Sequence, residues 1–188
     1  MFRELLAAEF APYGSLSEDQ LAQLERHYKL LVHWNQTINL TRIRKLEEVV
    51  RFHYCESLFL ARALPLGPLR IVDVGSGGGF PGIPVAIFRP DCTVDLVESH
   101  QRKAVFLQEA ARELPNVRVI AKRAEACEGR YDWMLARAVR PEDVVALGLA
   151  PNVALLVGAD DAVRLHGQAT VVPWGTDRVL VSRGTMIG

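Results

Sequence analysis

The sequence predicts an α/β fold: a seven-stranded, mostly parallel sheet with one antiparallel strand and an N-terminal helical extension. Strand-like apolar runs alternate with helical stretches after residue 64. The first run enters a glycine-rich turn, Gly75-Ser76-Gly77-Gly78-Gly79. The last two runs are joined only by Pro173-Trp174-Gly175-Thr176-Asp177. That connection is too short for a parallel crossover, so the final pair is expected to be an antiparallel hairpin.

Taken in order, Ser17 with Gln20 three residues on forms a capping box. Leu21, Leu24, Tyr28, Leu31 and Trp34 follow at helical spacing, which predicts an amphipathic helix over about 17–35. A second helix is expected from Leu46 to Ala63, stopped by Pro65, Gly67 and Pro68. Residues 1–64 therefore form a helical extension packed on a main domain of 65–188. There, strands are expected near 70–74, 93–98, 117–120, 131–136, 153–157, 169–172 and 178–182, and helices near 81–89, 101–114 and 141–149. Such alternation covers both faces of the sheet. A parallel sheet closed by one antiparallel strand is the Rossmann-like class I methyltransferase plan.

Composition narrows the function. Apolar residues make up 49% of the 188, charged residues 23%, and the formal net charge is zero. A global positive field is excluded, though a local basic patch is not. Cys55, Cys92 and Cys127 are widely spaced, with no metal-ligand pattern, so free thiols are expected. Met1 to Phe10 carries Arg3, Glu4 and Glu9 and no long apolar core, and Val144 to Ala159 is broken by Pro151 and Asn152. A cytoplasmic monomer with no metal and no membrane span is the expectation.

Two patterns overlap in the glycine turn. Gly77, Gly79 and Gly82 fit G-x-G-x-x-G, the dinucleotide fingerprint. Asp73, Gly75, Gly77 and Gly79 fit D-x-G-x-G-x-G, the S-adenosylmethionine loop, with Ser76 between its glycines. The flanks decide between them. Pro81 and Pro84 remove N–H groups that a pyrophosphate would want. Asp73 suits a ligand carrying an ammonium and a sulfonium. Glu98, at the end of the second strand, is placed to accept from ribose hydroxyls and serves either ligand. Ala124-Glu125 follows the third strand, where an adenine would lie. An NAD-dependent oxidoreductase and a non-enzymatic RNA-binding module on the same fold remain the rival readings.

Several segments carry a family resemblance. They are Trp34-Asn35-Gln36-Thr37-Ile38-Asn39-Leu40-Thr41, Arg51-Phe52-His53-Tyr54-Cys55-Glu56-Ser57-Leu58, Asp73 through Pro84, Arg123-Ala124-Glu125, and Tyr131-Asp132 leading to Ala136-Arg137-Ala138. Over about 20–145 the chain resembles the bacterial 16S ribosomal RNA guanine-N7 methyltransferases, also called the glucose-inhibited division protein B family. The resemblance implies S-adenosyl-L-methionine as cofactor and a guanine of 16S rRNA near the decoding region as substrate. It implies that Gly75 and Phe80 flank the methionine part, that Ala124 and Glu125 meet the adenosine, and that Arg137 lies beside the ligand. The chain departs from the family where a lysine-glycine pair often follows the fifth strand. Here the text is Leu155-Leu156-Val157-Gly158-Ala159-Asp160.

The chemistry agrees by omission. Guanine N7 has a free lone pair and no proton to lose, so its methylation needs alignment rather than a general base. After the fourth strand there is no Asn/Asp-Pro-Pro-aromatic motif and no Pro-Cys pair. Arg137 is expected to position guanine or cofactor through hydrogen bonds to an acceptor such as O6. Arg42, Arg44 and Lys45 lie between the first two helices, Arg51 and His53 just after, and Arg123 and Arg140 near strand ends. Together they are expected to form a basic face for RNA.

Overall fold

The computed structural model describes residues 1–175 and 177–186. Helices α1 (Phe2–Phe10), α2 (Glu18–Trp34), α3 (Leu46–Val49) and α4 (Glu56–Ala63) precede the sheet. Then follow β1 (Arg70–Val74), α5 (Gly82–Phe88), β2 (Thr93–Val97), α6 (Gln101–Ala110), β3 (Val117–Ile120), β4 (Trp133–Arg137), α7 (Pro141–Ala146), β5 (Asn152–Gly158), α8 (Ala159–Ala162), β6 (Gln168–Val171) and β7 (Arg178–Arg183). The seven strands lie in the order β3-β2-β1-β4-β5-β7-β6. All pairings are parallel except β5 with β7 and β7 with β6. The fold is that of a Rossmann-like class I methyltransferase. The closing hairpin expected from the short connection is present, although Thr176 lies outside the described residues.

Alternation along each strand builds two cores. Ile71, Trp133, Leu135, Ala154 and Leu156 face the cluster shared with α1, α2 and α4 to α6. Val72, Val74, Met134, Ala136, Val153 and Leu155 face the opposite cluster, which includes Val144 of α7. Each fully buried large side chain, such as Trp133 or Phe106, contributes about 1.5–3 kcal/mol. The same alternation sets Asp73, paired in register with Leu135, on the side of the N-terminal helices. Arg137, two residues beyond Leu135, falls on that side too.

The capping box forms as read: Ser17 Oγ accepts from the Gln20 N–H, and Gln20 Oε1 accepts from the Ser17 N–H. Gln20 then reaches the carbonyl of Ile87, tying α2 to α5. Tyr28 stacks on Phe2 at 4.6 Å, and Trp34 packs edge-on to Phe106 at 6.0 Å. Both serve packing, as their place in the apolar stripe suggested.

Four elements differ from the reading of the sequence. Helix α1 appears, burying Phe2, Leu6 and Phe10 although no side chain caps it. The expected helix over 46–63 is interrupted by a π-helical stretch, Val50–Cys55. Wide turns of this kind are frequent at functional sites, and here the carbonyl of Phe52 accepts from Arg137 Nη1 at 2.6 Å. The helices expected to reach 114 and 149 stop at Ala110 and Ala146.

Candidate active site

The glycine turn hangs from the carboxyl ends of β1 and β2. The N–H groups of Gly75 and Ser76 both donate to the carbonyl of Val97, at 2.9 and 3.1 Å. Gly77 donates to Glu98 Oε2 at 2.9 Å. Gly79 and Phe80 donate to the carbonyl of Ser76, Ile83 to that of Gly79, and Gly82 to Asp73 Oδ2 at 3.0 Å. With Pro81 and Pro84 lacking an N–H, the start of α5 has its donors committed within the chain. A pyrophosphate bound at a helix N-terminus needs such donors free.

Glycine is required where the helix meets the strand. A Cβ on Gly79, whose φ is +88°, would lie 2.6 Å from Ile83 Cδ1 and 3.0 Å from His27 Nε2. A Cβ on Gly82 would lie 2.6 Å from Asp73 Oδ2.

Asp73 is fully buried. Its Oδ1 has no hydrogen-bond partner among the described residues, and burial pushes its carboxyl up to about 7. Ser76, expected at the cofactor, is also buried and donates its hydroxyl to the Asp73 carbonyl at 3.0 Å. That bond braces the turn.

A cleft of about 370 Å³ opens beside the turn. Glu98, Ala124 and Glu125, expected at the adenosine, line it together with Gly75, expected at the methionine end. Glu98 Oε1 also accepts the His100 N–H at 2.8 Å, so backbone donors fix both carboxylate oxygens. Each oxygen keeps a lone pair for a hydroxyl donor. Val139, Val144 and Leu147 form an apolar wall that the sequence did not mark as part of the site. Arg123, expected on the RNA face, lines this cleft as well.

Arg137 does not line the cleft. Its Nη2 lies 2.7 Å from His53 Nδ1, and its guanidinium sits 5.2 Å from the Phe80 ring centre. Burial lowers its pKa to about 10. Nearby, Glu56 is buried with Oε2 3.5 Å from Arg178 Nε, and burial pushes its carboxyl up to about 7.

His53, expected among the RNA contacts, is buried and stacks on Phe80 at 4.7 Å. Arg51 is also committed elsewhere, donating from Nε and Nη2 to Glu9 Oε1 at 2.9 and 2.7 Å. Lys45 pairs loosely with Glu48 at 3.5 Å. Arg140 shares a hollow with Glu142, Asp143 and Asp161. Of that group Arg42, Arg44, Arg123 and Arg140 are exposed and outside any ion pair among the described residues.

A histidine the sequence reading passed over completes the support. His27 of α2 donates from Nε2 to the Gly78 carbonyl at 2.9 Å and accepts at Nδ1 from the Tyr54 hydroxyl at 2.9 Å. Burial lowers its pKa to about 4, so it stays neutral. The only sequence signal was a polar residue beside the apolar stripe of α2.

The described residues contain no group of three or more His, Cys, Asp or Glu able to hold a metal, and none of their helices is long and apolar enough to cross a membrane.

The family described as rRNA small subunit methyltransferase G matches residues 20–157. A relative from Chromobacterium violaceum, named ribosomal RNA small subunit methyltransferase G, is 48% identical over 127 residues, or 65% of this chain and 60% of that protein. One of the same name from Xanthomonas campestris pv. campestris is 41% identical over 169 residues, or 86% and 78%. Among solved structures, Aeropyrum pernix fibrillarin with natively bound S-adenosyl-L-methionine is similar in fold. Its TM-score is 0.53 at 15% identity, covering 70% of this chain and 73% of that one.

Proposed function

Because the chain belongs to the rRNA small subunit methyltransferase G family, we propose that it transfers a methyl group from S-adenosyl-L-methionine to N7 of a guanine in 16S rRNA. The observation that carries the cofactor is the commitment of the donors at the start of α5. A dinucleotide pyrophosphate finds no row of open N–H groups there, and a cofactor without phosphate needs none. The residues present also fit the group. Asp73 Oδ1 is a buried acceptor without a partner among the described residues, matched to a cation, and Glu98 stands at the cleft with fixed oxygens.

When bound, the cofactor supplies an electrophilic methyl group on a sulfonium. The chain's residues bind, orient and exclude water. Glu98 accepts from the ribose hydroxyls, and Val139, Val144 and Leu147 cover the adenine. Phe80 and Arg137, stacked together, border the methionine end. With the guanine held in line by these residues, N7 would be the nucleophile for the methyl group the cofactor supplies. No proton moves, so the site needs no base. Arg42 and Arg44 contact phosphates, residues 1–64 serve as an extension packed on 65–188, and the protein works as a cytoplasmic monomer.

Isothermal titration separates this from an oxidoreductase. S-Adenosylhomocysteine should bind and NAD should not. Tight NAD binding without S-adenosylhomocysteine binding would overturn the assignment.

A further inference from the structure

We propose that His53 and Thr41 are positioning residues for Arg137, linked in one hydrogen-bonded chain that runs from the loop after α2 to the end of β4. The inference rests on the methyl-transfer reading above and adds residues to it.

The chain begins at Asn35. Its Oδ1 accepts from the N–H groups of Leu40 and Thr41 at 2.9 and 3.0 Å, and its Nδ2 donates to the Thr41 carbonyl at 2.9 Å. One amide thus closes the loop and fixes Thr41. The Thr41 hydroxyl oxygen lies 2.6 Å from His53 Nε2 and accepts the Ile43 N–H at 3.1 Å. His53 Nδ1 lies 2.7 Å from Arg137 Nη2. Arg137 Nη1 donates to the Phe52 carbonyl at 2.6 Å, one residue before His53.

Donor counting fixes the protons. A guanidinium only donates, so His53 Nδ1 carries the lone pair. Nε2 therefore carries the hydrogen and donates to Thr41, whose oxygen has two lone pairs for its two donors. Every polar atom of the imidazole is satisfied in that tautomer alone. A protonated ring would turn an N–H toward the arginine. Burial, and next the charge of Arg137, hold the His53 pKa well below its ordinary value.

The chain acts on two residues at once. Arg137 is oriented by the histidine nitrogen, while the histidine ring stacks on Phe80, over which Arg137 also lies. Phe80 ends the glycine turn. Asn35, Thr41 and His53 belong to segments 34–41 and 51–58, whose polar residues the cofactor cleft leaves unexplained.

The test is a double-mutant cycle. His53→Phe keeps a ring over Phe80 and removes the acceptor. It should lower the single-turnover methylation rate of small ribosomal subunits about 10- to 100-fold. His53→Asn should recover most of that rate, because its Oδ1 stands as many bonds from Cβ as the imidazole Nδ1. In an Arg137→Ala background, His53→Phe should cost nothing more. Additive effects, or an unchanged rate, would overturn the proposal. Should His53→Phe fail to fold, Thr41→Val against Thr41→Ser asks the same question from the other end. The serine should keep activity that the valine loses, and equal rates would overturn the chain. If the wild type transfers no methyl group, the substrate reading fails instead, and the cycle is read on S-adenosylhomocysteine affinity, where additivity again overturns it.

Discussion

The backbone N–H of Gly77 donates to Oε2 of Glu98 at 2.9 Å. The acid that lines the cleft is therefore also the clasp that closes the glycine turn against β2. Glu98→Gln leaves one acceptor where there were two and puts a donor beside a backbone N–H. S-Adenosylhomocysteine affinity by isothermal titration should fall about tenfold or more, since a hydrogen bond to a charged group is worth about 1.5–3 kcal/mol.

Gly82→Ala should destabilise the fold as well as weaken binding. Its Cβ would lie 2.6 Å from Asp73 Oδ2 and also press on Leu96. Overpacking at a buried site costs about 1–3 kcal/mol. The melting temperature of the free protein should drop accordingly.

These two relationships mark how much the sequence disclosed. The glycine turn, the Ser17 capping box and the closing hairpin were legible because each is a local pattern. Asp73 and Glu98 were legible as acids at strand ends. The direction in which Arg137 points was not. It depends on β4 pairing with β1 so that Leu135 stands opposite Asp73, which turns the arginine toward the N-terminal helices. Arg51 and His53 read as part of a basic face for RNA, in a helix expected to be continuous. The π-helical stretch buries His53, while the Glu9 carboxylate of an unforeseen α1 engages an Arg51 that stays exposed. The Tyr54–His27–Gly78 contact joins residues 27 and 51 positions apart, beyond any periodic signal.

Cofactor binding should depend on pH through Asp73. Its pKa in the free protein is raised to about 7 by burial, above the ordinary 3.8. A cationic ligand favours the ionised form, so binding below pH 7 releases a proton. S-Adenosylmethionine affinity should weaken by up to about tenfold per pH unit as pH falls below 7. Asp73→Asn should flatten that profile.

The same shift has a consequence for stability. A carboxyl whose folded pKa is raised contributes stability that is present below its unfolded value and lost as pH rises through the folded one. Relative to wild type, apo Asp73→Asn should therefore gain stability between about pH 4 and pH 7. His27, lowered to about 4 by burial, acts with the opposite sign. Its contribution is present above pH 6.5 and lost as pH falls through about 4. Thermal melts across pH of Asp73→Asn and of His27→Gln should slope in opposite directions against wild type.

Arg42 and Arg44 are exposed cations in the loop between α2 and α3, outside any ion pair among the described residues. Arg42→Ala with Arg44→Ala should flatten the dependence of log K for RNA on log salt by about 1.4–1.8, two phosphate contacts' worth. Arg51→Ala, whose partner is Glu9, should leave that slope unchanged.

The most direct test of the account is mass spectrometry of 16S rRNA taken from small ribosomal subunits incubated with the protein and S-adenosylmethionine. The account predicts one added methyl group on N7 of a guanine. No transfer, or a methyl group on carbon, ribose or an exocyclic amine, would contradict it.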